Sequence, residues 1–321
     1  MPTLKEIKGR ISSVKNTLKI TSAMKLVSSA KLRKAQRAVE AMRPYEAQLR
    51  RMLAVVSAVP STTGVHSVHE EPEKAGSYTE RPESVHEGPT AIIAIASNSS
   101  LCGGFNANAV AKVRSVRKKG DVVYSIGRKM ADAMRKDGFP SPEDFTALSE
   151  RPAYSPAAAL VGKLIEDLEA GRIGKVLLVY NHFESTARQT PVVEVLMGGD
   201  TLGPSGLGMT SPGTDGSTVS PGTETTVIPS EASVSPTDAI LEPGAAELLA
   251  QLLPKTLKLK LYAVLLDSAA AEHAARTVAM QTATDNGEDL LDELTLQYNK
   301  GRQQKITSEI LDLAGGQAAE K

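Results

Sequence analysis

The sequence predicts an α/β fold in which two long helices, one at each end of the chain, pair as an antiparallel coiled coil beside a small α/β domain. Apolar residues recur at steps of three and four residues along both terminal stretches, which is the spacing of a helical seam. Between residues 90 and 200, short apolar runs alternate with helical segments, which is typical of a mostly parallel sheet.

The N-terminal segment, residues 1–59, is expected to be one coiled-coil helix. Its seam begins at Leu4, Ile7, Ile11, Val14 and Leu18. Small and polar residues loosen the seam between residues 21 and 34, where another surface could approach closely. Pro44 predicts a kink or a local break.

Residues 60–89 are rich in Pro, Ser, Glu and Gly and predict a flexible insertion. The segment contains His66, His69 and His86, but their spacing matches no standard metal site. The sequence therefore predicts no metal here.

Residues 90–200 predict a Rossmann-like α/β domain. Strands are expected at 90–97, 121–127, 175–183 and 189–197, with helices at 106–119, 128–136 and 155–170. Only five residues separate the last two strands, which predicts an antiparallel pair at one edge of the otherwise parallel sheet.

Residues 201–243 predict a disordered low-complexity insertion of Gly, Ser, Thr and Pro. The remainder, residues 244–321, should return as the second coiled-coil helix and pair with 1–59. Within it we expect a short helix at 244–253, and then a helix of about 90 Å from Pro254 to the Gly315–Gly316 pair. Gly287 and Gly301 predict weak points in that helix.

Charge is distributed unevenly although the net charge is zero. Residues 1–51 carry thirteen Lys or Arg against Glu6, Glu40 and Glu46. Such a basic end predicts contact with an acidic surface. Nucleic acid is an alternative partner, with Lys25, Lys31, Arg33, Lys34 and Arg37 on phosphates.

Other chemistry is weakly supported. The single cysteine, Cys102, excludes an internal disulfide and is expected to be a small buried side chain. Gly103–Gly104 before a helix could cradle a phosphate, but the segment lacks a Walker lysine and more simply predicts a strand-to-helix turn. No nucleophile–base set or carboxylate pair is recognisable. His182 and His273 are expected to have satisfied structural roles, and no apolar run would span a bilayer.

Three long motifs are specific. Residues 19–35 (KITSAMKLVSSAKLRKA) closely resemble the N-terminal signature of the gamma subunit of F-type ATP synthases. Residues 276–287 (RTVAMQTATDNG) and 298–310 (YNKGRQQKITSEI) are similar to its C-terminal signature, and 101–104 (LCGG) to the first turn of its middle domain.

This resemblance implies a central rotor shaft of the bacterial type. The coiled coil would lie inside a hexamer of alpha and beta subunits, and the α/β domain would rest on the epsilon subunit and the c-subunit ring. Proton-driven rotation of the ring would then drive ATP synthesis on the beta subunits. The chain would itself be non-catalytic, without a cofactor, without direct membrane insertion and without nucleic acid as a partner. It would be peripheral to the cytoplasmic face of the bacterial inner membrane.

The resemblance also implies eight coupling residues. Met24, Lys25 and Arg33 would face an acidic lever of the beta subunit, and Arg276 would help couple rotation to catalysis. The hexamer would be engaged by Arg302, Gln303, Thr307 and Glu309.

The chain departs from the family pattern at several places. Ser99 and Ser100 stand where Arg and Gly are more usual, so the turn around them is expected to differ. The two insertions are longer than usual, and the cysteine pair of light-regulated forms is missing. A coiled-coil scaffold that binds nucleic acid and a small α/β enzyme with helical extensions remain as alternatives.

Overall fold

The computed structural model describes residues 3–58, 88–198 and 244–318. The insertion predicted at 201–243 lies outside these residues, and so does the insertion at 60–89 apart from Gly88 and Pro89. The three histidines of the first insertion are therefore also outside the described part of the chain.

Six helices and four strands make up the described residues. In chain order they are α1 (Leu4–Ala58), β1 (Thr90–Ile95), α2 (Phe105–Val116), β2 (Val122–Ile126), α3 (Arg128–Lys136), α4 (Thr146–Glu150), α5 (Tyr154–Glu169), β3 (Lys175–Phe183), β4 (Gln189–Gly198) and α6 (Ala245–Ala318). The predicted fold class, a long antiparallel helix pair with an α/β domain, is confirmed. Helix α4 was not predicted from the sequence, because its five residues are too few to show a period.

The sheet has the order β2-β1-β3-β4. Strands β1, β2 and β3 run parallel, and β4 pairs with β3 in the antiparallel sense, as predicted. Each strand of the parallel part is almost continuously buried, which explains its uninterrupted apolar sequence.

Both faces of the sheet are covered. On one face, α2 and α3 bury residues such as Val113 and Met130 against Ile92 and Val179. On the other face, α5 and the first part of α6 bury residues such as Leu164 and Leu261 against Ile93 and Leu178. One long helix is therefore both a wall of the α/β domain and half of the helix pair.

Two prolines lie inside continuous helices. The expectation of a separate helix before Pro254 was wrong, because α6 already begins at Ala245 and continues through Pro254. Leu253 and Leu257 pack against the sheet core on both sides of that proline, and this packing outweighs the lost backbone hydrogen bond. Helix α1 likewise continues through Pro44.

The predicted stop at Gly315–Gly316 was also wrong. Helix α6 continues through both glycines to Ala318, which gives it 74 residues and a length of about 110 Å. Glycine permits a helix to end but does not require it. No helix among the described residues has an apolar stretch long enough to cross a bilayer.

Candidate functional site

The paired helices α1 and α6 form an antiparallel shaft. Residues progressively nearer the start of α1 lie against residues progressively nearer the end of α6, as the contacts Thr21–Thr284, Leu18–Gly287 and Leu4–Gly301 show. Buried Leu32 continues the seam against Ala270 and Ala274, where the shaft meets the α/β domain.

The two glycines of α6 are contact sites. A Cβ atom added to Gly287 would lie 2.7 Å from Leu18 Cδ2, and one added to Gly301 would lie 3.1 Å from Leu4 Cδ2. Each glycine therefore accepts a leucine of α1 on bare backbone. The prediction that they weaken the helix overlooked this packing.

Helix α6 extends beyond the start of α1. Because Leu4 lies against Gly301, the last turns of α6 stand beyond the helix pair. Four of the expected coupling residues lie in this projecting end, and all four are exposed: Arg302, Gln303, Thr307 and Glu309. Exposed apolar side chains accompany them at Ile306, Ile310 and Leu311.

Lys25 joins the two helices. Its Nζ donates a hydrogen bond of 2.5 Å to Gln281 Oε1, and Gln281 Nε2 donates one of 2.6 Å to Asp285 Oδ1. On the same helix as Lys25, Met24 is half-buried and Arg33 is exposed. Three large apolar side chains of the same helix also face outward: Ile20, Leu26 and Val27.

The two helices carry opposite charge along their outer part. Between Arg276 and Lys300, α6 has no Lys or Arg but five exposed acidic residues: Asp285, Glu288, Asp289, Asp292 and Glu293. The facing part of α1 has five exposed cations: Lys5, Lys8, Arg10, Lys15 and Lys19. Among the described residues no ion pair joins α1 to α6. The shaft therefore presents one basic side and one acidic side.

Arg276 is turned into the molecule. Its side chain is buried, with Nη1 2.7 Å from Glu272 Oε1 and Nη2 2.9 Å from Ser99 Oγ. Burial raises the pKa of Glu272, and the adjacent Arg276 opposes that rise. A coupling role was expected for Arg276, but neither of these two partners was predicted from the sequence. The four-residue spacing of Glu272 and Arg276 was the available signal for one of them.

Ser99 belongs to the turn between β1 and α2, which is tied by its own side chains. The Ser97 hydroxyl donates to the carbonyl of Ser99 at 2.6 Å, and Asn106 Nδ2 donates to the same carbonyl at 3.2 Å. Buried Cys102, expected as a small buried side chain, packs with Phe105 against α6. The glycine segment is thus a strand-to-helix turn, as predicted.

A second polar contact joins the α/β domain to α6. His182 Nδ1 of β3 lies 2.7 Å from Asp267 Oδ2, and this hydrogen bond raises the pKa of His182. A groove of about 350 Å³ between α1, β3 and α6 adjoins the pair. A structural role was expected for His182, but its partner Asp267 lies 85 residues away and could not be predicted from the sequence.

His273 does not match the satisfied structural role expected of it. Its Nδ1 is buried and has no hydrogen-bond partner among the described residues. Burial lowers its pKa to about 4, and nearby Arg276 and Lys31 act in the same direction. In the described part of the chain, no group of His, Cys, Asp and Glu could hold a metal ion.

The sequence matches the family described as ATP synthase over residues 3–319. It is 42% identical over 327 residues to the ATP synthase gamma chain of Phocaeicola vulgatus, covering 99% of this chain and 100% of the relative. It is 36% identical over 324 residues to that of Flavobacterium johnsoniae, covering 99% of each.

Solved structures with the same fold come from the mitochondrial ATP synthase of Euglena gracilis. A chain of its OSCP/F1/c-ring assembly in rotational state 3 aligns with a TM-score of 0.61 and 19% identity, over 98% of this chain and 94% of that one. A chain of the rotor in rotational state 1 aligns with a TM-score of 0.57 and 18% identity, over 94% and 98%.

Proposed function

The chain belongs to the ATP synthase gamma chain family, in which it is a non-catalytic central-stalk subunit, and we propose that it transmits proton-driven rotation to the ATP-synthesising sites of its partners. The projecting end of α6 carries this proposal. A helix pair whose shorter helix has 55 residues and spans about 80 Å, ending in a single exposed helix, can insert into a ring of partners and turn there.

The surrounding partners would be the alpha and beta subunits. Arg302, Gln303, Thr307 and Glu309 are exposed where α6 is the only described element present, so all four are available to a hexamer enclosing the tip. The adjacent Ile306, Ile310 and Leu311 would provide an apolar surface that makes few directional bonds with the enclosing subunits.

Opposite charge on the two sides of the shaft supports the rotary role. An acidic lever on a beta subunit is attracted by the exposed cations of α1 and repelled by the acidic stretch of α6. As the shaft turns, each of three partners meets these sides in sequence. Rotation would thereby change the relative free energies of the partner conformations, which is the requirement for coupling.

At the other end, the α/β domain would rest on the c-subunit ring and the epsilon subunit. In that arrangement the chain is peripheral, on the cytoplasmic face of the bacterial inner membrane. Met24, Lys25, Arg33 and Arg276 are the residues that we propose for coupling in addition to those of the tip.

Reconstitution tests this function. The full chain, mixed with alpha and beta subunits of a related bacterial enzyme, should form one complex, and ring-bound complexes should pump protons when supplied with ATP. A folded chain that never associates with these subunits would contradict the proposal. DNA binding is the outcome expected of the alternative function, and it would have to remain tight at physiological salt.

A further inference from the structure

The β1–α2 turn contacts α6 over a continuous surface. Cys102 and Phe105 are buried against Ala271 and Ala275. One helical turn further along, Ala279 Cβ lies 3.9 Å from the Cβ position of Gly103. Small residues on α6 therefore let the backbone of the turn approach the helix closely.

The turn is held in a conformation that its own sequence does not favour. Leu101 has a φ of 65°, which is uncommon for a side chain of that size. Asn106 secures the turn from inside, because its Oδ1 accepts from Ser97 N–H at 3.0 Å and its Nδ2 donates to the carbonyl of Ser99. Asn98 ties the turn to the rest of the domain by donating to the carbonyl of Thr146 at 2.8 Å.

Ser99 makes the one side-chain hydrogen bond that leaves this turn for the shaft among the described residues. Its Oγ accepts from Arg276 Nη2, and Glu272 holds Nη1 of the same guanidinium. Glu272 and Arg276 lie on one face of α6 and are both buried. A buried charged donor whose geometry is fixed from two sides resists displacement in a particular direction.

We propose that Ser99 is a positioning residue that fixes the Arg276 guanidinium and thereby holds the β1–α2 turn rigidly against α6. Torque on the α/β domain then turns α6 without relative movement between the two. This inference rests on the proposed rotary function. The apolar contacts stabilise the association of the turn with α6. The Ser99–Arg276–Glu272 chain supplies the directional part, because hydrogen bonds lose strength when their angles change.

The test compares three single variants of the full chain. Ser99→Ala removes the acceptor. Ser99→Thr retains a hydroxyl at the same atom position and should rescue the contact. Ser100→Ala is the matched control, because Ser100 is exposed in the same turn and its side chain makes no hydrogen bond among the described residues.

Hydrogen exchange on the purified chain measures directly how firmly the β1–α2 turn is held. In Ser99→Ala, the amides of Ser97 and Phe105 should exchange about tenfold faster, whereas amides in the outer shaft keep their rates. Ser99→Thr and Ser100→Ala should match the parent chain. Equal exchange in Ser99→Ala and Ser100→Ala would overturn the proposal.

The second measurement is the number of protons pumped per ATP hydrolysed by the reconstituted complex. We expect Ser99→Ala to lower this ratio about twofold while it still assembles and hydrolyses ATP. An unchanged ratio together with faster exchange would overturn the torque role. If the parent chain fails to assemble, the proposed rotary function fails, and the exchange comparison still decides whether Ser99 holds the turn.

Discussion

Leu18 of α1 lies on the bare backbone of Gly287 in α6, at a distance that leaves no room for a Cβ atom at the glycine. Leu4 and Gly301 repeat the arrangement two heptads away on both helices. These contacts bring the helices together where the apolar seam of α6 is interrupted by polar residues.

Gly287→Ala should therefore fail to stabilise the chain. Alanine favours a helix over glycine by about 1 kcal/mol, but the new methyl would force Leu18 out of its contact, which costs a similar amount or more. Gly9→Ala in α1 is the matched control, since nothing lies within 4 Å of its added Cβ. In denaturant unfolding, the free energy of unfolding of Gly287→Ala should be lower than that of Gly9→Ala by about 1 kcal/mol or more.

Adding Leu18→Ala distinguishes this explanation from a general effect at Gly287. Without the leucine, the alanine at 287 has space, so in that background the substitution should give the usual helical gain. If Gly287→Ala stabilises the original chain as much as Gly9→Ala does, the packing interpretation is wrong.

Sequence periodicity was sufficient for the strands and for five of the six described helices, though not for the ends of α6, because it reports which faces are buried. It identified the antiparallel edge strand and the pairing of the chain ends. The contact made by each glycine could not be predicted, because periodicity gives no information about the side chain on the partner helix. The same limit applies to Pro254, whose neighbours Leu253 and Leu257 are held by residues of the distant sheet.

Only some features of the candidate site could be predicted from the sequence. Exposure of Arg302 and Thr307 is consistent with their place at the end of α6, but Ser99 was noted only as a departure from a pattern. Its contact spans 177 residues, and no spacing rule connects two such positions. Such a contact can be identified only once the fold is known.

Thr21 and Thr284 form a buried hydroxyl pair across the shaft, with their oxygens 3.0 Å apart. Thr284→Val should lower the free energy of unfolding by about 1 kcal/mol, because the Thr21 oxygen loses a buried donor. The double variant with Thr21→Val should cost less than the sum of the single variants, since no hydroxyl is then left without its cross-helix partner.

Thr282→Val provides the comparison for this pair. Thr282 is exposed on the same helix, and among the described residues its side chain bonds only to the carbonyl of Val278, so its replacement should change stability by less than about 0.5 kcal/mol. Strictly additive costs at positions 21 and 284 in chemical denaturation would show that the two hydroxyls do not interact.

The two described junction histidines should give the chain a stability maximum near pH 6.5. The pKa of His182 is raised, chiefly by its hydrogen bond to Asp267 and further by Glu184 and Glu194, so its contribution is complete below about 6.5 and lost as pH rises through the raised value. The pKa of His273 is lowered to about 4 by burial, with Arg276 and Lys31, so stability falls as pH drops from about 6.5 toward 4.

Thermal unfolding of His182→Gln and His273→Gln across this pH range separates the two effects. His182→Gln should be less stable than the parent chain below about pH 6.5, and this difference in stability should disappear as pH rises. His273→Gln should become more stable relative to the parent chain as pH falls from about 6.5 toward 4. Asp267→Asn should reproduce the first profile. The three histidines outside the described residues are present in every variant, so they cancel in the differences. Parallel profiles in all variants would refute the assignment.

Arg302→Ala should reduce coupling more than assembly. Arg302 is exposed and directly follows Gly301, which lies against Leu4 at the start of α1, so its loss should leave the helix pair intact. Lys300→Ala removes the same charge from an exposed position two residues earlier and serves as the control. We expect ATP-driven proton pumping per ATP to fall by about tenfold in Arg302→Ala, as for the loss of a charged hydrogen bond, and to be nearly unchanged in Lys300→Ala.

Met24→Lys tests a second proposed coupling residue, which lies in α1. A second cation next to Lys25 in the chain would add positive charge to the side of the shaft that meets an acidic partner, while the half-buried position tolerates the aliphatic part of lysine. Assembly with alpha and beta subunits should therefore persist, and pumping per ATP should fall. Ser22→Lys, also at a half-buried position of α1, adds the same charge two residues away and controls for charge alone. Equal pumping and ATP synthesis in Met24→Lys and the parent chain would remove Met24 from the coupling surface.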